Sequence, residues 1–346
     1  MNLSERKKKI LSAVVDESIK TAEPVSSKDV QEKYMNEYSP ATIRNELMAL
    51  EEMGFLFQPH TSAGRIPTAE GYRKYVDELM TVKKLSKKEA DCLKTTFNSK
   101  LSSLEDVLQK AAKTISDATN YASIVYYGIA DSAEIENILL LKLTSYQTLV
   151  VVVTDLGIIK EETDSISASE DDLRQASKIL TSVFKGKKLQ EVEHGSKLLK
   201  SELSRYKDIF DCIVQIITER DNDYARNMAV SGKDKLLNYP EYQDINTLKK
   251  TITLLDHKDI LYPILSDNAS SNLEINVKIG GDENLGITDC SIVTATYKSK
   301  GKTIGSASVV GPVRMDYGKV VSILKNVTQI LEDDVFDRKY KENDDE

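Results

Sequence analysis

Tyr38-Ser39-Pro40-Ala41-Thr42-Ile43-Arg44-Asn45-Glu46-Leu47 reads as the opening of a helix, and Gln58-Pro59-His60-Thr61-Ser62-Ala63-Gly64-Arg65-Ile66-Pro67-Thr68 reads as a polar loop between two short extended runs. Ser39 is placed to cap the free backbone amides. Pro40 fits the first helical position, where its missing N–H forfeits no hydrogen bond. Ile43, Leu47 and Leu50 fall at i, i+4 and i+7 and are expected to bury together, while Ala41, Asn45 and Met48 project oppositely with Thr42 and Arg44 on the flanks.

An exposed face of this composition suits the edges of DNA bases. Arg44 and Asn45 carry the fork-shaped donors that match guanine and adenine edges, near the helix N-terminus that leads into a major groove. Thr42 and Ala41 add methyl groups, and Ser39 stands at the tip. Glu51 and Glu52 lie toward the far end, away from phosphate. The alternative is an amphipathic helix whose polar face meets only water.

The upstream sequence favours the DNA reading. A helix from about Ser4 to Thr21 carries Ile10, Leu11, Val14, Val15 and Ile19 on one side, and a second from about Ser26 holds Val30 and Tyr34. After Gly54, Phe55-Leu56-Phe57 has strand character, Gln58 to Gly64 forms a tip, and Arg65-Ile66 starts the return before Pro67 stops it. Three helices and a wing make a winged helix-turn-helix. His60, Thr61, Ser62 and Arg65 are then the wing residues expected to meet phosphate or enter a minor groove.

These residues, together with Gly71-Tyr72-Arg73-Lys74-Tyr75-Val76-Asp77, strongly resemble the bacterial heat-inducible transcription repressor family HrcA. The likeness is tight from Tyr38 to Asp77 and looser over the preceding helices. It implies a multidomain α+β protein: an N-terminal winged helix-turn-helix, then a GAF-like α+β domain interrupted by a mainly helical dimerising insertion. It further implies a homodimer that binds double-stranded DNA at an inverted-repeat operator of the CIRCE type, represses the chaperonin and DnaK operons, and depends on the GroEL chaperonin for its active form. A homodimer is also expected on physical grounds, because one helix reads only a few base pairs.

Length and composition agree with that picture. At 346 residues the chain has room for two or three domains. A net charge of −8 argues against indiscriminate coating of nucleic acid, so charge placement has to carry DNA binding. The Lys7-Lys8-Lys9 run reads first as a solvated helix face and second as a phosphate contact. The apolar stretch after it is broken by Asp16 and Glu17 and lacks a small-residue cleavage pattern, and no run is long enough to cross a bilayer, so a cytoplasmic protein with no membrane partner is expected.

No enzyme or cofactor is expected. Cys92, Cys212 and Cys290 are too scattered for a disulfide framework or zinc module, and His60, His194 and His257 lack paired-ligand spacing. Lys300-Gly301-Lys302-Thr303 resembles the end of a phosphate loop, but Thr296 stands where its first glycine belongs, so a strand or turn is the better reading. Gly280-Gly281-Asp282 reads as a turn.

Texture divides the remainder. The expected organisation is 1–80 winged helix-turn-helix, 81–102 helical linker with little core signal, 103–165 and 235–335 GAF-like domain, 166–234 inserted dimerisation domain and 336–346 acidic tail. A helix is expected from Ser103 to Asn120, then four strand runs (Ser123 to Tyr127, Ile135 to Leu143, Leu149 to Thr154, Gly157 to Glu162) forming one antiparallel sheet. Helices follow at Ser169 to Phe184 and His194 to Arg220, strands at Leu273 to Ile279, Ser291 to Tyr297 and Thr303 to Val310, and a closing helix at Tyr317 to Leu331. Two other functions fit the same sequence: a regulator whose GAF-like domain senses a small molecule, and a scaffold whose winged helix binds protein.

Overall fold

In the computed structural model, the described residues are 3–82, 84–97, 103–128, 133–164, 166, 168–192, 207–219, 227–270, 274–280, 289–299 and 301–336. The chain forms two compact units, one of Met1–Val125, Ala229–Ala295 and Ser306–Ile330, the other of Tyr126–Met228, Thr296–Gly305 and Leu331–Glu346.

The first unit begins with α1 (Glu5–Thr21), α2 (Ser27–Tyr34) and α3 (Pro40–Glu52), followed by the strands β1 (Leu56–Phe57) and β2 (Ile66–Pro67). Each helix starts on a serine cap: Ser4, Ser26 and Ser39 accept from backbone amides of Lys7, Asp29 and Thr42. Ile10, Leu11, Val14 and Val15 of α1 meet Val30, Ile43, Leu47 and Leu50 in a shared core, each fully buried aliphatic side chain contributing about 1.5–3 kcal/mol of transfer free energy. The helix, turn, helix and wing expected at 1–80 are present. Next come α4 (Ala69–Lys74), prolonged by a π-turn over Tyr75–Leu79, and α5 (Lys87–Phe97).

The expected linker proves to have a core role. In α5, Leu93 and Phe97 are buried, and the helix packs on α6 (Leu104–Thr119) and on the C-terminal helix, because an i, i+4 apolar pair is enough to seat a short helix.

The rest of the chain contributes β3 (Ala122–Tyr127), β4 (Ile135–Lys142), β5 (Thr148–Thr154), β6 (Gly157–Thr163), α7 (Glu170–Phe184), α8 (Leu189–Val192), α9 (Lys207–Glu219), β7 (Met228–Ser231), α10 (Ile245–Asp256), α11 (Lys258–Ser270), β8 (Ile275–Ile279), β9 (Cys290–Ser299), β10 (Lys302–Pro312) and α12 (Tyr317–Ile330). One five-stranded sheet has the order β7-β3-β10-β9-β8. Helices α6 and α12 pack together, and hydrogen bonds tie each to the sheet: Ser123 Oγ donates to the Ala112 carbonyl at 2.5 Å, and the hydroxyls of Ser291 and Tyr317 are 2.9 Å apart. Also within this unit, Arg314 Nη1 donates to the Ile19 carbonyl at the end of α1 at 3.1 Å while its guanidinium forks onto Glu241.

The second sheet corrects the expectation of a four-run antiparallel sheet. Strands β4, β5 and β6 form a separate three-stranded meander, and the first run, β3, joins the five-stranded sheet beside β7 and β10. Adjacent strand runs carry no mark of which sheet they enter; β3 is buried nearly throughout and takes partners far away in sequence. Helix α7 lies along the free edge of β4, where Thr181 Oγ1 and Ser177 Oγ accept from the amides of Ile138 and Leu140 at 2.9 Å each. Strands β4–β6 and α7 thus fall in one unit, with no boundary at the expected 165/166.

The Gly301 turn joins β9 to β10, and Lys302 pairs with Asp155 at 2.8 Å, so the Gly-Lys-Thr run is a hairpin. The expected helix at His194 to Arg220 is observed as α9; residues 193–206 and 220 lie outside the described residues, as do 281–282 of the glycine pair and the acidic end from 337 onward. Among the described residues no helix is long and apolar enough to cross a membrane, and no group of acidic, His or Cys side chains is placed to hold a metal ion.

Candidate nucleic-acid interface

Helix α3 is divided as its periodicity predicts. Ile43, Leu47 and Leu50 are buried; Ala41, Arg44, Asn45 and Met48 are exposed and Thr42 is partly so. Ser39 Oγ caps the helix at 3.1 Å from the Thr42 amide and lies 2.9 Å from Thr42 Oγ1, which orients both hydroxyls at the leading tip. Arg44 and Asn45 have no hydrogen-bond or ion-pair partner among the described residues, so their donors stand free. Met48, 47% exposed, extends the same face by one turn with an apolar tip.

The buried side of α3 holds one charge. Glu46 receives Arg6 Nε at 2.6 Å and Lys7 Nζ at 2.7 Å, bonds that fix the helix on the start of α1. The hydrogen bond from Lys7, joined by that from Arg6, holds the Glu46 carboxyl below its ordinary pKa against the opposing effect of burial. Lys7 and Lys8 of the basic run are engaged with Glu46 and Glu5, and Lys9 is exposed.

The wing is built from both ends. Helix α3 stops at Gly54, whose φ of +81° favours glycine, and the chain turns directly into β1. Strands β1 and β2 pair antiparallel, Leu56 opposite Pro67 and Phe57 opposite Ile66. Arg65 adds a two-way backbone bridge to Val25, at 2.9 and 2.8 Å, so one residue of the segment before α2 is tied to the wing root. A side chain on Gly64 would overlap the Val25 carbonyl, which is why glycine precedes Arg65. At the tip, Gln58 Nε2 donates to the carbonyls of Thr61 and Ala63 at 3.1 and 2.8 Å, and His60, Thr61 and Ser62 are exposed.

Arg65 differs from its expected place. It sits at the root, its side chain 12% exposed, with Nε 2.9 Å from Glu51 Oε2. The remaining eight predicted residues are all on α3 or the wing tip: Ser39, Ala41, Thr42, Arg44 and Asn45 on one, His60, Thr61 and Ser62 on the other.

Residues 2–80 match the family described as winged helix-turn-helix transcription repressor, HrcA DNA-binding, and residues 105–321 match the HrcA protein C terminal domain. The chain belongs to the HrcA family. The heat-inducible transcription repressor HrcA of Pelotomaculum thermopropionicum is 36% identical over 343 residues, covering 96% of this chain and 98% of that one. That of Bacillus pumilus is 34% identical over 337 residues, covering 95% and 97%. A crystal structure of a hypothetical protein at 2.2 Å resolution shares the fold, with a TM-score of 0.57 at 23% identity over 95% of this chain and 98% of that one. Family membership makes this a heat-inducible transcription repressor with a winged-helix DNA-binding domain, of multidomain α+β architecture with a GAF-like core. Sequence reasoning missed the roles of Glu51 and Gln58 in the HrcA wing. Their seven-residue separation across a turn gives no periodic signal, and only the folded wing brings them together.

Proposed function

We propose that the protein represses chaperone operons in the cytoplasm by binding, as a homodimer, an inverted-repeat operator of the CIRCE type, with Arg44, Asn45, Thr42 and Ala41 reading bases and the wing tip contacting the flanking backbone. The observation that carries this reading is the free donor pair of Arg44 and Asn45 on a capped helix whose opposite face is locked into a core. Arg44 suits guanine O6 and N7, and Asn45 suits adenine N6 and N7.

Dimerisation is supported by the outer face of the three-stranded sheet. Paired neighbours Leu139 with Val151, Leu141 with Leu149 and Val153 with Ile158 share that face. Leu141 and Ile158 are 49% and 53% exposed, with Leu143 and Tyr146 exposed at the adjoining turn. Glu162, exposed and opposite Leu149, gives this largely apolar face a charged margin; a surface of this kind suits association of two copies, each supplying one α3 helix. The same face, when unpaired, gives the GroEL chaperonin an apolar surface to hold. Heat-damaged clients would compete for the chaperonin and leave the repressor inactive until folding capacity recovers.

Fluorescence anisotropy on an inverted-repeat duplex and a scrambled duplex of equal length, at one salt concentration, tests the reading. Strong preference for the repeat supports it. Equal binding by folded protein would instead favour the scaffold.

A further inference from the structure

Glu51 stands at the end of the DNA-reading helix and faces the wing root. One carboxylate oxygen, Oε1, accepts from the Gln58 amide at 3.1 Å; the other, Oε2, lies 2.9 Å from Arg65 Nε. The two partners are on opposite arms of the wing, Gln58 leaving β1 and Arg65 entering β2. Gln58 in turn holds the tip through the Thr61 and Ala63 carbonyls, and the Arg65 backbone is bridged to Val25 in both directions. A single carboxylate therefore touches both arms, by a hydrogen bond from the Gln58 amide and by charge attraction to Arg65, whose buried Nε has no aligned hydrogen-bond acceptor among the described residues.

We infer that Glu51 is a positioning residue for DNA binding, setting the angle of the wing to α3, and that Arg65 serves the DNA through Glu51 rather than as a phosphate ligand. This deepens the DNA-reading proposal and rests on it. Wing contacts and base contacts can be made together only if the wing tip and the helix are held in one geometry. A carboxylate anywhere on a DNA-binding domain opposes binding through its field, and Glu51 turns its charge toward the wing root and Arg65. Arg65 is mostly buried and faces that carboxylate.

The charge gives the test a sign. If Glu51 acted only through its field, Glu51→Ala would tighten binding to any duplex. As a positioning residue, it is expected to weaken operator binding by roughly tenfold, the size expected of one lost contact of 1–3 kcal/mol. The slope of log K against log salt should shrink by about 0.9 for each wing phosphate contact released. Arg65→Ala is expected to match Glu51→Ala in both readouts, and the double variant to be no weaker than either, because both act on one connection. Each protein is first shown to be folded by circular dichroism at the assay temperature, and Glu51→Gln, which keeps an acceptor for Gln58, repeats the sign test if the alanine variant unfolds. Tighter or unchanged binding by folded Glu51 variants would overturn the inference, as would losses that multiply in the double variant. A wild-type protein with no operator preference would instead overturn the DNA-reading proposal itself.

Discussion

The winged helix and the three-stranded sheet each leave one face open, and the two faces have opposite chemistry. On α3 the open side carries Ala41, Arg44, Asn45 and Met48 over a buried row of Ile43, Leu47 and Leu50. On the sheet the open side carries Leu139, Leu141 and Ile158 opposite a buried row of Ile138, Leu140, Val150 and Val152. Polar donors left free on a rigid helix suit a hydrogen-bonding polyanion, because their lone partners in the unbound state are waters. Apolar side chains left free on a rigid sheet suit another protein surface, because water is the partner they lose with gain. DNA is the partner proposed for the first face and a second copy the partner proposed for the other.

The largest expected effect breaks the second face. Leu141→Asp combined with Ile158→Asp should convert the proposed dimer to a monomer in sedimentation experiments and lower operator affinity by about a hundredfold or more, since both half-sites must be held at once. A dimer that persists with full affinity would remove the sheet from the account. The next effect breaks the first face. Asn45→Ala or Arg44→Ala should cost roughly 1–3 kcal/mol at the operator if it removes a bidentate base contact. Binding titrations at matched salt check this, and unchanged affinity would remove the residue from the reading set.

A smaller effect concerns the support beneath α3. Glu46→Ala removes the bonds to Arg6 and Lys7 and should destabilise the winged helix by about 1–2 kcal/mol, the partners being partly solvated. The folded pKa of Glu46 is depressed, so its contribution is complete above the unfolded carboxyl value of about 4.3 and is lost as pH falls through the folded value. Thermal unfolding followed from neutral pH into the acid range should therefore show a steeper acid loss for wild type than for Glu46→Gln; identical acid limbs would contradict the role given to Glu46. The smallest effect sharpens the comparison at the tip of α3: Ser39→Ala loses the cap on the Thr42 amide and should lower stability by about 1 kcal/mol.

Local elements were legible because local chemistry writes them. Ser4, Ser26, Ser39 and Ser103 mark four helix starts, and the apolar spacing of α1, α3 and α6 predicts the faces found buried. Strands β4 to β6, β8, β9 and β10 fall within a few residues of their runs. What the sequence did not reveal is non-local. The allegiance of β3 depends on strands more than a hundred residues later, and no pattern within Ala122–Tyr127 distinguishes a partner in β4 from one in β10. The candidate site divides the same way. Arg44 and Asn45 were readable as an exposed pair from helical periodicity, whereas Arg65 had the composition of a phosphate ligand and acquired a carboxylate partner only when the wing folded back on α3.

Two reading helices are proposed to act together on one DNA face. This is tested most directly by measuring the affinity of the full chain for the intact inverted repeat and for the same duplex with ~5 base pairs inserted between half-sites, half a helical turn. A loss of about a hundredfold or more is expected, because the second half-site is rotated to the opposite side of the duplex while each half-site keeps its sequence. Equal affinity for the two duplexes would mean that each chain binds its half-site alone, and would contradict the coupling of the reading face to the apolar sheet.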